Sequence, residues 1–310
     1  MRKFLTYCLL FFAPLVLVIL GMEGLVRKIP NAYKINEEII AERADSIEVM
    51  VLGSSQMMSA VNPAWLKAPT LNLASGDQHH DTDFKLLKEL LPKLPNVHTL
   101  VLEVSYSHLE LPHNGPDFWK NNFYLKYYGV NCFERPTYFK DEMLFLSNPP
   151  LLSERVYAHY IQKENYSDYN IYGFNIKDSY GQFAKKNHDA SLINQMKHFK
   201  INLEANLDIF QENSALLLDI LTYLQQHNKK VILVTQPMYP TYLRKRNPAI
   251  LKRRDSVLQL SEETYNNVHL FLKETDTLSY TIKDFWNHSH LSNEGAEVFS
   301  KQLNTYLNEH

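Results

Sequence analysis

Short apolar runs alternate with amphipathic stretches along the first half of the sequence. Three runs have the length and composition of buried strands: Glu48–Leu52, Thr70–Leu73 and His98–Val104. Between the second and third runs, apolar residues recur at helical spacing from Asp83 to Leu91. Strands that alternate with helices in this way favour right-handed βαβ crossovers and a parallel sheet.

The second half of the chain repeats this rhythm. Its predicted elements are a helix over Ser214–Gln226, a strand over Lys230–Thr235, a helix over Leu251–Tyr265, a strand over Val268–Leu272 and a helix over Asn293–Leu307. Between the two halves, residues 109–198 are rich in Tyr, Phe and Asn without a strong strand pattern, which indicates an insertion. We therefore expect one α/β domain over residues 47–310, with three layers, α/β/α, around a mostly parallel five-stranded sheet.

The first segment of the chain is apolar throughout. No charged residue occurs from Phe4 to Met22, and a helix of this length rises about 28 Å, close to the thickness of a bilayer core. A buried core helix is the alternative, but an apolar surface on every side favours the membrane. We expect residues 1–26 to be an uncleaved signal anchor, with the amino terminus in the cytoplasm, and residues 27–46 to be a stalk. The domain is then extracytoplasmic, for example periplasmic, and tethered by a single membrane pass.

Composition and charge narrow the class of protein. The 310 residues include 32 Lys and Arg against 34 Asp and Glu, so the net charge of -2 provides no basic field for nucleic-acid binding. A hydrophobic content of 45% is sufficient for a large core. Of the two cysteines, Cys8 lies in the predicted membrane helix, so Cys132 has no partner in the domain and we expect no disulfide.

A serine and a histidine are placed where a parallel sheet binds ligands. The first predicted strand ends on Gly53-Ser54-Ser55, and ligands bind at the carboxyl ends of strands near the point where strand order reverses. His290 precedes the last predicted helix, in a loop that returns to the same edge of the sheet. Ser55 is a candidate nucleophile with His290 as its base. The alternatives are that Ser54 carries the nucleophile, or that Gly-Ser-Ser is an ordinary strand-to-helix turn.

Three short motifs, in this order, resemble the SGNH/GDSL hydrolase family and its envelope acyl-transfer relatives of the DltD and alginate-acetylation type. They are Val51-Leu-Gly-Ser-Ser55 for the nucleophile block, Asn72-Leu-Ala-Ser-Gly76 for the glycine block and Asn287-x-x-His290-Leu for the Asp-x-x-His block. The resemblance covers residues 48–308 except the insertion, and it implies a flavodoxin-like fold. It also implies catalysis by Ser55 and His290, with an oxyanion hole built from the N–H groups of Ser55 and Gly76.

Two positions depart from the family pattern. Asn287 stands where the family has the aspartate that orients the histidine, and an amide can donate as well as accept, which favours the wrong imidazole tautomer. Asp284 or a backbone carbonyl are other candidates for that role. The Asn donor expected after the third strand is absent, so Ser105 or Ser107 would replace it in the oxyanion hole.

The resemblance implies a membrane-tethered, extracytoplasmic serine esterase or acyltransferase. Its substrate class is an acylated cell-envelope glycan or a related lipid-linked carbohydrate, and proteins of envelope modification are its candidate partners. The alternative is a catalytically inactive relative that binds or assembles with a polysaccharide-modifying system. Neither function requires an organic cofactor or a metal, and the spacing of the histidines does not fit a recognisable metal site.

Two further segments have open interpretations. Gln236 and Tyr239 follow the fourth predicted strand, and we expect them in a substrate-facing loop, with a proline-stiffened turn as the alternative. The aromatic stretch from Phe118 to Tyr128 is either a platform for a sugar or acyl group or the small core of the insertion.

Overall fold

The computed structural model describes residues 1–164, 168–177 and 181–309. Its strands are β1 (Val49–Leu52), β2 (Thr70–Asn72), β3 (Thr99–Glu103), β4 (Lys230–Thr235) and β5 (Val268–Leu272). They form one sheet in the order β2-β1-β3-β4-β5, and every neighbouring pair is parallel. The five predicted strands are thus confirmed, each within two residues of its expected ends.

Helices pack on both faces of the sheet. Other helices lie in the segment before β1 and in the segment between β3 and β4. In chain order the helices are α1 (Arg2–Lys28), α2 (Ala32–Arg43), α3 (Ser55–Ala60), α4 (His80–Leu90), α5 (Asn121–Phe123), α6 (Leu144–Ser147), α7 (Pro149–Tyr157), α8 (Ala190–Asn194), α9 (Leu207–Gln226), α10 (Pro240–Lys245), α11 (Pro248–Thr264) and α12 (Asn293–Glu309). Helix α9 begins seven residues before the predicted start, because the side chain of Asn206 caps it by accepting the N–H of Ile209.

The strands divide their side chains between two cores. In β1, Met50 and Leu52 pack on the face that α4, α9 and α11 cover, whereas Val49 and Val51 pack on the face of α3 and α12. This alternation follows from the two-residue period of a strand, and both sets are buried because helices lie on both sides. The predicted three-layer α/β/α fold is therefore confirmed.

The strand order reverses between β1 and β3. The chain leaves β1 to form β2 on one side and then crosses over to form β3 on the other. In open parallel sheets, this reversal opens a crevice at the carboxyl ends of the two central strands. The loops after Leu52 and after Glu103 therefore meet at one place.

Helix α1 stands apart from the sheet. It is 27 residues long, its most apolar stretch has a mean hydropathy of 2.5, and none of that stretch is buried. Among the described residues it is the one helix long and apolar enough to cross a membrane.

The predicted stalk is wrong, because the segment after α1 packs on the domain. The hydroxyl groups of Tyr33 and Ser75 are 2.5 Å apart, and the buried Asn36 amide donates to the carbonyl of Asn72 at 2.9 Å. Ile39, one turn further along α2, is also buried. These side chains lie on one helix face, so α2 is a component of the domain rather than a spacer.

The aromatic stretch of the insertion forms a core. The ring of Tyr33 in α2 lies 5.2 Å from that of Phe123, and the rings of Tyr124, Tyr127 and Tyr128 lie 5.7, 6.4 and 5.9 Å from it. All four residues of the insertion in this cluster are buried. These four rings therefore pack against α2, which fits the interpretation of the stretch as the small core of the insertion.

Candidate active site

The loop after β1 has a conformation that depends on glycine. Gly53 has a φ of 140°, and a Cβ at this position would lie 2.6 Å from the Cβ of Glu103 on the neighbouring strand. Ser54 caps the following helix, and Ser55 is the first residue of α3. The close approach of β1 and β3 thus requires Gly53, and it delivers Ser55 at the point where the strand order reverses.

The structure brings Ser55 and His290 together. Oγ of Ser55 lies 2.8 Å from Nε2 of His290, although 235 positions separate the two residues in the chain. His290 stands in a tight loop before α12, in which its carbonyl accepts the N–H of Trp286 at 2.9 Å. The short bridge between Phe285 and Leu291 closes this loop. The serine and the base thus have the separation that proton transfer requires.

Asn287 orients the imidazole through its carbonyl oxygen. Oδ1 of Asn287 lies 3.1 Å from Nδ1 of His290, and it also accepts the backbone N–H of Ser289 at 2.8 Å. A backbone N–H can only donate, so the Asn287 atom that faces Ser289 and His290 is the carbonyl oxygen and not the NH2 group. The hydroxyl of Ser289 also lies 3.1 Å from Nδ1 of His290, and it donates to Oδ1 of Asn287 at 3.3 Å. With that proton given to Asn287, both oxygens accept from Nδ1–H, and Nε2 is left to accept from the Ser55 hydroxyl.

Asp284, another candidate for orienting the imidazole, bonds to Thr281 instead. Its carboxylate accepts the N–H and the hydroxyl of Thr281 at 2.6 and 2.7 Å. It therefore caps the turn that precedes the histidine loop and makes no hydrogen bond to His290 in the described structure.

Burial keeps His290 neutral. Desolvation lowers the pKa of His290 to about 4, and the negative charge of Glu103 opposes this shift only in part. A neutral imidazole at pH 7 is the form that can accept a proton from a hydroxyl group.

Glu103 is a buried carboxylate beneath the nucleophile loop, and the sequence did not point to it. Its two oxygens accept the N–H of Ser54 at 2.7 Å and the hydroxyl of Ser54 at 3.0 Å. Burial opposes its ionisation, but hydrogen bonds from His108, Ser54 and Ser105 outweigh burial and lower the pKa of Glu103. The only signal in the sequence is an acidic residue in the otherwise apolar run before Val104.

Two backbone N–H groups are free beside Ser55. Within the described residues, neither the N–H of Ser55 nor that of Gly76 has an acceptor. A Cβ on Gly76 would lie 3.9 Å from the Cβ of Ser55 and 2.9 Å from Nζ of Lys120, so there is little space for a side chain at this residue. The Lys120 ammonium donates to the Gly76 carbonyl and holds this peptide in place. Burial lowers the pKa of Lys120 to about 8.

Ser105 lines the same cleft as Ser55. Its hydroxyl also helps to lower the pKa of the Glu103 carboxyl. The role of Ser105 as an oxyanion donor stays a prediction.

Gln236 and Tyr239 hold the histidine loop. The Gln236 amide, 1% exposed, donates to the carbonyl of Ser289 at 2.7 Å, and the N–H of Tyr239 donates to the carbonyl of His288 at 3.1 Å. Neither residue lines the cleft around Ser55. The expected substrate-facing role does not fit this arrangement, because the Gln236 side chain bonds to the histidine loop and the Tyr239 ring packs against Phe183 and Phe285.

The other histidines are packed against rings. His80 stacks on His108 with their centroids 4.2 Å apart, and His288 stacks on Phe199 at 4.0 Å. His79 contacts the edge of His108 at 5.6 Å. In the described part of the chain, no group of three or more His, Cys, Asp or Glu side chains is arranged to hold a metal ion.

A cleft of about 440 Å³ opens above Ser55 and His290. Its lining includes the apolar residues Leu111, Pro112 and Ile201. It also includes side chains that can hydrogen-bond hydroxyl groups: Gln182, Lys200, Asn202, Asp77 and His198. The cleft therefore suits a ligand with an apolar portion and several hydroxyl groups.

Comparison with known proteins gives distant structural matches only. No family model and no curated protein matches the chain. A Bacteroides fragilis protein provisionally assigned as an acylhydrolase matches with a TM-score of 0.43 and 11% identity, over 88% of this chain and 93% of its own. A Streptococcus pneumoniae protein provisionally assigned as a platelet activating factor matches with a TM-score of 0.42 and 11% identity, over 94% of this chain and 98% of its own.

Proposed function

We propose that this protein is a membrane-tethered serine esterase or acyltransferase of the SGNH type. The observation that carries the proposal is the continuous chain from Ser55 Oγ to His290 Nε2 at 2.8 Å and from His290 Nδ1 to Asn287 Oδ1 at 3.1 Å. Such a chain transfers a proton away from a serine while the third residue holds the base in the correct tautomer.

The first half of the reaction forms an acyl-enzyme. Oγ of Ser55 attacks the carbonyl carbon of an ester as its proton moves to Nε2 of His290. The tetrahedral intermediate then collapses, the bond to the alcohol oxygen breaks, and His290 returns the proton to the departing alkoxide. In the second half, water or a sugar hydroxyl gives its proton to His290 and attacks the acyl carbon. The bond between the acyl carbon and Oγ then breaks, and His290 returns the proton to Oγ of Ser55.

The negative charge of the tetrahedral intermediate needs hydrogen-bond donors. The N–H groups of Ser55 and Gly76 are the candidates, because both lie beside the reacting hydroxyl and have no other acceptor in the described structure. Lys120 acts on this site indirectly, as a positioning residue that holds the carbonyl of Gly76.

The cleft and α1 support a proposal for the substrate class. The apolar lining residues, such as Leu111 and Ile201, suit an acyl group, and the polar ones, such as Gln182 and Asn202, suit the hydroxyl groups of a carbohydrate. Helix α1 would hold the domain at a membrane, on the extracytoplasmic side. We therefore propose an acylated envelope glycan or lipid-linked carbohydrate as substrate, with envelope-modification proteins as partners.

An ester-release assay tests this function. The full chain in detergent is incubated with an O-acetylated oligosaccharide, and free acetate and acetyl transfer to a second, unacetylated oligosaccharide are measured. We expect one of these products from the natural chain and from Ser59→Ala, a control on the same helix, and none from Ser55→Ala. Activity that survives Ser55→Ala would contradict the proposal. An inactive natural chain that still binds the oligosaccharide would favour the non-catalytic binding partner.

A further inference from the structure

The base of α1 is fixed to the domain by a buried carboxylate. Glu23, 6% exposed, accepts the N–H of Leu144 at 3.1 Å and that of Phe145 at 2.7 Å, which caps the start of α6. On another side, the hydroxyl of Tyr160 donates to the carbonyl of Leu25 at 3.1 Å. Helices α6 and α7 both pack against α1. The direction in which α1 leaves the domain is therefore set by specific contacts and not by a flexible linker.

The point at which α1 becomes free of the domain is well defined. Apart from the half-buried Ile19, the large apolar side chains from Phe4 to Leu20 are 49–69% exposed, whereas Met22 already packs against the core. Because an α-helix rises about 1.5 Å per residue, Glu23 lies about 5 Å beyond Leu20 along the axis. If the exposed part of α1 spans a bilayer, the start of α6 lies at the membrane–water interface.

Five large apolar side chains are exposed in the segments that contact α1, which run from 138 to 161. Phe139 is 77% exposed, Tyr138 62%, Leu146 38%, Tyr157 55% and Ile161 65%. We call these five residues the basal patch.

The basal patch is tied to α1 by the polypeptide that carries it. The carbonyl of Glu142, between Phe139 and Leu146, accepts a hydrogen bond from Arg27 at 3.2 Å. Tyr157 is the last residue of α7, which packs on α1. The five residues of the basal patch therefore belong to segments that contact the carboxyl-terminal end of α1.

We propose that the basal patch is a second membrane contact, inserted into the interfacial layer of the same bilayer that α1 crosses. Aromatic and aliphatic side chains beside a membrane helix are favoured at this depth, where their apolar parts leave water and the tyrosine hydroxyls stay hydrated. The inference rests on the membrane anchoring proposed above, but not on the ester chemistry.

A site-specific environmental probe tests the contact in the full chain. In a Cys8→Ala background, Phe139→Cys is labelled with an NBD fluorophore and placed in nanodiscs of phosphatidylethanolamine and phosphatidylglycerol. Leu278→Cys is the matched control, because Leu278 is 98% exposed and lies outside the basal patch. Cys132 is 3% exposed, and the background chain without either substitution checks that it takes no label. We expect lipids with a spin label near the headgroup to quench the probe at 139 about twofold or more, and the probe at 278 far less.

Each other outcome overturns the inference in a distinct way. A chain that enters the nanodisc but leaves the probe at 139 unquenched has an anchor without a second contact. A probe at 139 that changes its emission only in native membranes indicates a protein partner in place of lipid. A chain that does not enter nanodiscs at all removes both the anchor and the contact. Reaction of Ser55 with a fluorophosphonate, measured on the same sample, reports on the ester chemistry separately from all of these.

Discussion

The side-chain oxygen of Asn287 lies 3.1 Å from Nδ1 of His290, and the backbone N–H of Ser289 holds that oxygen in place from 2.8 Å. This pairing gives an amide the role that a carboxylate has in most serine hydrolases. Because the amide is neutral, it orients the imidazole without the electrostatic stabilisation that a carboxylate gives to an imidazolium. The site is therefore arranged for a neutral base, and the following predictions depend on that property.

Substitution of Asn287 separates orientation from charge. Asn287→Ala removes the acceptor for Nδ1–H, and we expect kcat to fall on the order of 10²-fold with little change in KM. Asn287→Asp keeps the acceptor and adds a negative charge, so the site stays active while the pKa of His290 rises by about 1–2 units. Steady-state kinetics over a pH series measure both effects. An Asn287→Ala protein with unchanged kcat would show that another group orients the ring.

The pH dependence of activity reports the pKa of His290. Burial lowers this pKa from 6.5 to about 4, and only the neutral imidazole can accept the proton of Ser55. We expect kcat/KM to be maintained as the pH falls through 6.5 and to be lost as it falls through about 4. Circular dichroism at each pH distinguishes protonation from acid unfolding. An acid limb near pH 6.5 in a folded protein would mean that water reaches the imidazole more freely than the structure indicates.

Glu103 is predicted to stabilise the nucleophile loop. In Glu103→Gln, an NH2 group replaces one of the two carboxylate oxygens that accept hydrogen bonds from Ser54. This buried NH2 group then faces a hydrogen-bond donor of Ser54. We expect the free energy of unfolding to fall by about 2 kcal/mol and kcat to decrease. Denaturant unfolding measures the loss, with the exposed Glu89→Gln on α4 as the matched control. Equal stability of the two variants would contradict a structural role for the Glu103 carboxylate.

Gln236 is predicted to act through the histidine loop. Gln236→Met keeps the volume of the side chain but removes the donor to the Ser289 carbonyl. We expect kcat to fall about 10-fold while KM stays within about twofold, because the base is displaced and the cleft is not. If KM rises while kcat is maintained, Gln236 contacts the substrate after all.

The sheet could be predicted from the sequence because its strands are short, continuous apolar runs. The pairing of Ser55 with His290 could also be predicted, since a parallel sheet brings the carboxyl ends of its strands to one edge. The prediction of a stalk was wrong because its contacts are distant in the sequence. Tyr33 and Asn36 look like solvated residues, and their partners Ser75 and Asn72 lie 42 and 36 positions further along the chain.

The supporting residues of the site could not be found from the sequence. Glu103 is a single acidic residue in an apolar strand, and its partner Ser54 is 49 positions away. Gln236 reaches Ser289 across 53 positions, and no local pattern marks such a contact. The orientation of the Asn287 amide depends on one backbone N–H, so it becomes clear only when the loop is seen in three dimensions.

The most direct test of the central claim is covalent labelling of the serine. The full chain is treated at pH 7 with a fluorophosphonate, and the modified residue is identified by peptide mass spectrometry. The account predicts one modified residue, Ser55, with labelling abolished in Ser55→Ala, slowed on the order of 10²-fold or more in His290→Ala and unchanged in Ser59→Ala. Labelling that persists in Ser55→Ala, or that moves to Ser54 in the natural chain, would contradict it.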